Sequence, residues 1–344
     1  LSVASNLTAF SIVCCTRGRP ADLCRLVASV IGARGLLPEI DLQLLIVDDG
    51  RLSEAVQRSL AEQAAGAGIS WAYHNKRERS GLLRSRIEAL TLAEHDWLLF
   101  VDDDVEVEPD YLRRLASIIR QNPDLAGVGG VDICAPAWPI RKIVGLCALG
   151  LEPFALGQLS WGGFPAGMGR LRGARRPFTS RRLYGCNMAF RKTALAGLRM
   201  LPGFEGYSLH EDAYLSFEAA RHGRLLIDPG LRVRHHHSAA SRDGRMAVGR
   251  MSVVNHHALM KLYGMGGWRQ IGSLASVVGL IAVWASRGIR GAHAATAADF
   301  DVARGQIAGL KSLLTGQAGD GYANAGSQKA VAQQGMRSSP KTHR

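Results

Sequence analysis

Three short apolar runs punctuate the first hundred residues: FSIVCC at 10–15, LQLLIV at 42–47 and WLLFV at 97–101. Runs of this length without polar alternation predict strands of a parallel sheet covered on both faces. Between them the pattern becomes helical over residues 20–33, opened by Pro20, and over residues 52–65. Strand, helix, strand, helix, strand is the order of an α/β domain. Each apolar run breaks off abruptly in polar residues, and in open α/β sheets ligands lie beyond the carboxyl ends of the strands. That rule gathers Thr16 and Arg19, Asp48 and Asp49, and Asp102, Asp103 and Asp104 at one crevice.

Further along, residues 135–182 are rich in Gly, Trp, Phe and Arg and keep no clean period, which predicts a long, partly ordered insertion. Regularity returns with GCNMAF at 185–190, a helix starting near Glu211, and RLLIDPGLRVRHHH at 224–237, where Asp228-Pro229-Gly230 predicts a turn. Residues 246–263 predict another helix. The run 271–286 is uncharged between Arg269 and Arg287, yet shorter than the roughly 20 residues a spanning helix needs. A segment lying in the membrane interface and a buried helix both fit it. From residue 315 onward Gly, Ala, Ser and Gln predominate, and a disordered tail is expected.

Composition narrows the classes. With 344 residues and 47% hydrophobic positions, the chain can bury one large core or two smaller ones. Its 40 glycines follow no three-residue period, which excludes a collagen-like fibre. A net charge of +13 suits an anionic partner such as a nucleotide, a nucleic acid or lipid headgroups. Arg170, Arg172, Arg175, Arg176, Arg181 and Arg182 crowd beside Trp161, Phe164 and Phe178. They suit diphosphates and anionic headgroups by bidentate pairing, while a solvated charge run explains them equally well. Nucleic acid is not expected, because no RNA-binding or helix-turn-helix signature accompanies them. The six cysteines are scattered with no CxxC pair, which argues against a disulfide framework or a zinc site and fits a reducing cytosol. The opening LSVASNLTAF has neither a basic n-region nor a long apolar h-region, so no secretory signal is expected there.

The chemistry concentrates in a few acids and one run of histidines. Asp102, Asp103 and Asp104 repel one another unless a cation or a proton relieves them. Alternation along an extended backbone sends Asp102 and Asp104 to one side, where both can approach one Mn²⁺ or Mg²⁺ that keeps room for phosphate oxygens. A solvated acidic turn running through Glu106 and Glu108 is the plainer alternative. Ser208 and Glu211 read as a capping box, which would occupy Glu211 at a helix terminus and leave Asp212 free. His235 and His237 share parity with Leu231 and Val233, so both imidazoles are expected on the core side and His236 in solvent. Cys186 has no paired base in the sequence and is not expected to act as a nucleophile.

SIVCCTRGRP, LLIVDDG, GLLRSR, LLFVDDDVEVEPDYL, YGCNMAFRKTAL, LHEDAYLSFEAARHG and LRVRHHHS resemble, in order and spacing, the family 2 glycosyltransferases of GT-A fold. The resemblance covers residues 9–240 and implies an α/β, Rossmann-like, mostly parallel central sheet flanked by helices, with a C-terminal helical extension. It implies a catalytic domain over 1–240, divided into a nucleotide-binding half (1–100) and a metal and acceptor half (101–240), then a membrane-associated extension (241–314) before the tail (315–344). By the same resemblance Asp102, Asp104 and His235 would hold Mn²⁺ or Mg²⁺. Thr16, Arg19, Asp48, Asp49, Arg84, Arg86, Asp102, Asp103, Gly185 and Asn187 would bind the donor, and Asp212 would be the base of an inverting transfer. Ile87 stands where relatives often carry Asn after the Arg, a departure that bears on Arg86. The implied partners are a nucleotide-sugar donor, UDP-linked, and a glycan or lipid-linked acceptor of the cell envelope. Peripheral contact with the cytoplasmic membrane face would run through residues 170–182 and 271–286. Rival readings are a nucleotidyltransferase, disfavoured by the single glycine of TRGRP, and a non-catalytic basic surface protein, disfavoured by the acid constellation.

Overall fold

A computed structural model of the chain describes residues 9–76, 81–204, 206–238, 244–264, 267–290 and 294–316. The tail expected from residue 315 and the domain boundary expected at 240 fall almost wholly outside these residues.

The chain opens as β1 (Phe10–Thr16), α1 (Pro20–Arg34), β2 (Leu42–Asp48), α2 (Glu54–Gly66), β3 (Ser70–Asn75), α3 (Leu82–Leu92) and β4 (Trp97–Asp102). It continues through β5 (Val105–Val107), α4 (Tyr111–Gln121), β6 (Leu125–Asp132), α5 (Ile140–Ala148), α6 (Met168–Leu171), β7 (Phe178–Thr179) and β8 (Asn187–Arg191). After a 3-10 turn come α7 (Glu211–Ala219), β9 (Arg224–His235), α8 (Arg245–Leu262), α9 (Trp268–Arg290) and α10 (Ala294–Leu314).

The strands form one sheet in the order β3-β2-β1-β4-β8-β6-β9-β5, with β7 added against β9. Strands β1 to β4 run parallel, and β8 lies antiparallel to both β4 and β6. Alternate residues of β1 enter different cores: Ile12 and Cys14 pack with α1 and α4, and Val13 packs with Leu83 of α3 and Tyr214 of α7. A sheet buried on both faces explains the unbroken apolar runs. Pro20 opens α1, Ser53 Oγ accepts the Val56 N–H at the start of α2, and α4 turns Tyr111, Leu112, Leu115 and Ile119 inward. The sheet order places the carboxyl ends of β1, β2 and β4 side by side, so the acids that follow them meet.

Two expectations change. Asp228-Pro229-Gly230 makes no turn, since β9 runs unbroken from Arg224 to His235. Its pairing with β6 jumps from Gly129↔Ile227 to Val131↔Arg232, so the tripeptide is a bulge that accommodates the proline without a ladder hydrogen bond. The apolar run 271–286 belongs to a helix of 23 residues, and the stretch Gln270–Arg287 is long and apolar enough, by length and composition, to cross a membrane.

The C-terminal helices pack closely. A Cβ on Gly249 of α8 would stand 2.2 Å from the Val302 carbonyl oxygen, and one on Gly305 of α10 would stand 2.0 Å from the Met246 carbonyl oxygen. Only glycine allows α8 and α10 this approach.

Candidate active site

The triplet after β4 divides its acids between two directions. Asp103 turns to β1, where Thr16 Oγ1 donates to it at 2.7 Å and Arg19 Nη1 at 2.9 Å. Burial pushes its pKa up to about 6 against those donors. Asp104 turns to β9: its Oδ1 lies 3.0 Å from His235 Nε2 and its Oδ2 accepts the Ser238 N–H at 2.7 Å. Burial raises its pKa, but His235, Ser238 and Arg19 outweigh burial and bring it down to about 2. His235 in turn is raised above the ordinary imidazole range; burial opposes protonation, and the Asp104 hydrogen bond with neighbouring carboxylates overcomes it.

Asp102, Asp104 and His235 each offer a ligand atom within 4.8 Å of the others. Two carboxylates and an imidazole are a donor set that suits Mn²⁺ or Mg²⁺, and the side chain of Asp102 remains 32% exposed toward incoming oxygens. The residues therefore fit the ion that the sequence resemblance implies. His237, with φ 54°, sets its ring tilted by 34° to that of His235, centroids 3.9 Å apart, and reaches Asp132 Oδ2 at 3.2 Å. The shared parity of the two histidines holds, but His237 is exposed rather than core-facing, and His236 pairs with Glu106 at the surface. Asp132 was missed by the sequence reading. It ends β6, and the strand-end rule applied to LAGVGGVD would have found it.

Arg86 ties the acids together. Fully buried on α3, it donates to Glu211 Oε1 at 2.8 Å, to the Gly185 carbonyl at 3.1 Å and to Asp102 Oδ1 at 3.3 Å. A Cβ at Gly185 would stand 3.2 Å from Arg86 Nη2 and press on the guanidinium. No capping box forms: His210, at φ 75°, precedes the first turn of α7, and Ser208 Oγ donates to the Phe204 and Gly206 carbonyls. Glu211 is instead engaged by Arg86, and burial pushes its pKa up despite that cation. Asp212 is not free either. Arg182 Nη2 donates to its Oδ1 at 2.6 Å, the Ala213 N–H donates at 2.8 Å, and the Gly185 N–H approaches its Oδ2 at 3.4 Å. Burial disfavours its ionised form, but Arg182 leads the cations that hold its pKa below the ordinary range.

These residues wall two adjoining clefts. One is lined by Thr16, Arg19, Asp49, Ser85, Asp102, Asp103, Asp104 and His235, the other by Arg182, Tyr184, Gly185, Glu211, Asp212, Asp102, His235 and His237. Asp102 and His235 belong to both, so the candidate metal position lies in the shared wall.

Four predicted donor residues line neither cleft: Arg86, whose guanidinium is taken up by Glu211, Asp102 and the Gly185 carbonyl, and Asp48, Asn187 and Arg84. Asp48 is fully buried, and the Gly50 N–H, Leu52 N–H and Tyr73 hydroxyl occupy its carboxylate, which shapes the loop that presents Asp49. Asn187 is buried between Tyr111 and the Leu231 carbonyl. Arg84 lines neither cleft, and its Nε is buried without a partner. The arginine-rich stretch is likewise divided: Arg170 pairs with Glu152 and Arg172 with the Ala135 carbonyl, while Arg175, Arg176 and Arg181 are exposed.

A mixed α/β sheet with a carboxylate and histidine cluster beyond its parallel strands is the architecture of the GT-A fold. The profile of glycosyl transferase family 2 matches residues 11–198, and the chain belongs to that family. It is 32% identical over 101 residues to the glucosyl-dolichyl phosphate glucuronosyltransferase of Haloferax volcanii, a match spanning 29% of this chain and 31% of that protein. It is 29% identical over 127 residues to the galactofuranosyltransferase GlfT2 of Mycolicibacterium smegmatis, spanning 36% of this chain and 20% of the other. The match thus spans less than a third of either relative's length. A mannosyltransferase from Pyrobaculum calidifontis, solved with GDP-Man and Mn²⁺, shares the fold at TM-score 0.51 and 14% identity, covering 88% of this chain and 86% of the other.

Proposed function

We propose that the protein transfers a sugar from a nucleotide diphosphate donor, UDP-linked, to a hydroxyl of a glycan or lipid-linked acceptor, with inversion at the anomeric carbon. The observation that carries this reading is the triad Asp102, Asp104 and His235, its ligand atoms within 4.8 Å, set between two clefts of which the second holds Asp212. Bound there, Mn²⁺ or Mg²⁺ supplies Lewis acidity to the departing diphosphate. Thr16 and Arg19 fix Asp103, which keeps Asp102 and Asp104 turned the other way. Asp49, paired with Lys76 at 3.1 Å, lines the nucleotide side. Arg182 keeps Asp212 ionised and orients Oδ1, leaving Oδ2 to accept the acceptor proton. The acceptor oxygen bonds to the anomeric carbon from the second cleft as the bond to the diphosphate breaks toward the first. The electron pair leaves with the diphosphate, and the proton passes to Asp212.

The wider setting we assign is cell-envelope glycan assembly at the cytoplasmic membrane face. Two features support it: the exposed Arg175, Arg176 and Arg181, and the length of α9.

Release of free UDP from a panel of UDP-sugars in Mn²⁺, with simple glycosides as acceptors, tests the transfer. Asp212→Asn is expected to lower turnover by roughly 10²–10⁴-fold while UDP still binds. Undiminished turnover in that variant would overturn Asp212 as the base, and an NMR coupling constant showing retained configuration would overturn the inversion.

A further inference from the structure

Helices α8, α9 and α10 line, with the 207–210 loop, an open cavity of about 750 Å³ whose wall is mainly apolar: Phe164, Leu209, Val248, Leu280, Trp284 and Val302. Its volume falls in the range of ligand sites, roughly 300–1,000 Å³. It adjoins the cleft that holds Asp212, with Tyr207, Leu209, His210 and His237 in the wall the two share. One polar atom in its wall has no partner: Gln306 is 1% exposed, and its Oε1 is buried without a hydrogen bond. Such an unpaired atom is costly, and an apolar neighbour does nothing to relieve it. On its outer side α9 exposes Ile271 and Val278, at 58% and 57%, so the helix is apolar both toward the cavity and away from the protein.

We propose that this cavity receives the apolar body of the acceptor, a hydroxyl-bearing amphiphile whose sugar end reaches Asp212 and whose aliphatic chain runs between α8, α9 and α10 past Gln306. The inference rests on the transfer reading above and narrows its acceptor to a molecule with a long apolar chain. A purely polar glycan would leave the cavity wall uncovered and gain nothing from it. A chain lying there exchanges water contact for apolar contact at each methylene.

The test is a pair of probes on the full chain, octyl β-D-glucoside below its micelle-forming concentration and methyl β-D-glucoside, titrated by tryptophan fluorescence and calorimetry. The octyl probe is expected to bind at least about tenfold tighter, from the transfer energy of its added methylenes. Leu280→Trp narrows the cavity along the path of the chain and should bring the two probes closer together, a loss that detergent adsorbed on the outer face of α9 would not show. Gln306→Leu removes the unpaired amide and should tighten the octyl probe several-fold, since a plain alkyl chain offers it no donor. Equal binding of the two probes, or octyl binding unmoved by both substitutions, overturns the proposal. A UDP titration in Mn²⁺ on the same samples separates the readings: it should be unchanged in Leu280→Trp and Gln306→Leu. Its failure in the wild type would strike the transfer reading while the octyl titration still decides the cavity.

Discussion

Around Asp212 and Asp102, arginines arrange the carboxylates of this site. Arg182 holds Asp212 as a carboxylate, so Arg182→Met should raise the Asp212 pKa. The acidic limb of the turnover profile should then move to higher pH, with a larger effect on kcat than on donor binding; an unmoved limb would show that the pair does not set the base. Arg86 answers two carboxylates and a carbonyl from a buried position, and removing it strands them. Arg86→Met should cost about 3 kcal/mol in urea unfolding. Arg86→Lys should restore only part of that, because an ammonium cannot reproduce the planar fork. The strand-end rule made Thr16, Arg19, Asp49 and the aspartate triplet legible, since each ends or follows an unmistakable apolar run. It could not foresee that Asp48 would be consumed by its own loop, or that Arg182, thirty residues before Asp212 in the chain, would reach it. Those pairings depend on the fold bringing distant segments together, and no local pattern records them.

At the scale of elements, α8 is joined to the site through the buried His256, and through the half-buried His210, whose Nε2 lies 3.3 Å from the Ser252 carbonyl. His256 Nε2 lies 2.8 Å from the Gly162 carbonyl and so carries the proton, and its ring stacks on Phe164 with centroids 4.1 Å apart. Burial brings the pKa of His256 down to about 4, and burial aided by Arg182 brings that of His210 down to about 3. Both values lie below the unfolded imidazole value of about 6.5. Stability is therefore fully present above that unfolded value and is lost as pH falls toward the folded ones. Each histidine should remove about 1.4 kcal/mol per pH unit over that interval. Urea midpoints should fall between pH 7 and pH 5, and His256→Gln, which keeps the donor without the charge, should show a shallower fall; an identical slope would remove His256 as its source. The sequence missed β3 and β6 for different reasons. The residues of β3, SWAYHN, are mostly half-buried and mix polar with aromatic positions, whereas β6 carries three glycines that conceal a wholly buried strand. In β9 the Asp-Pro-Gly signal was real chemistry read at the wrong scale: it bends a strand that sheet pairing on both sides keeps extended.

For the whole molecule, a net charge of +13 surrounds a cleft whose functional groups are largely acidic. Such a contrast draws an anionic donor toward the protein while leaving the final contact to a metal and a few cations. The account predicts that donor binding weakens with rising salt but keeps its metal requirement, whereas nonspecific adsorption to the basic surface would lose affinity with salt and ignore the metal. Calorimetric titration of UDP into the full chain with and without Mn²⁺, repeated on the Asp102→Asn/Asp104→Asn double variant, tests the central claim most directly. Binding that requires both the ion and the two aspartates is the predicted result. UDP binding indifferent to Mn²⁺ and unchanged in the double variant would contradict it.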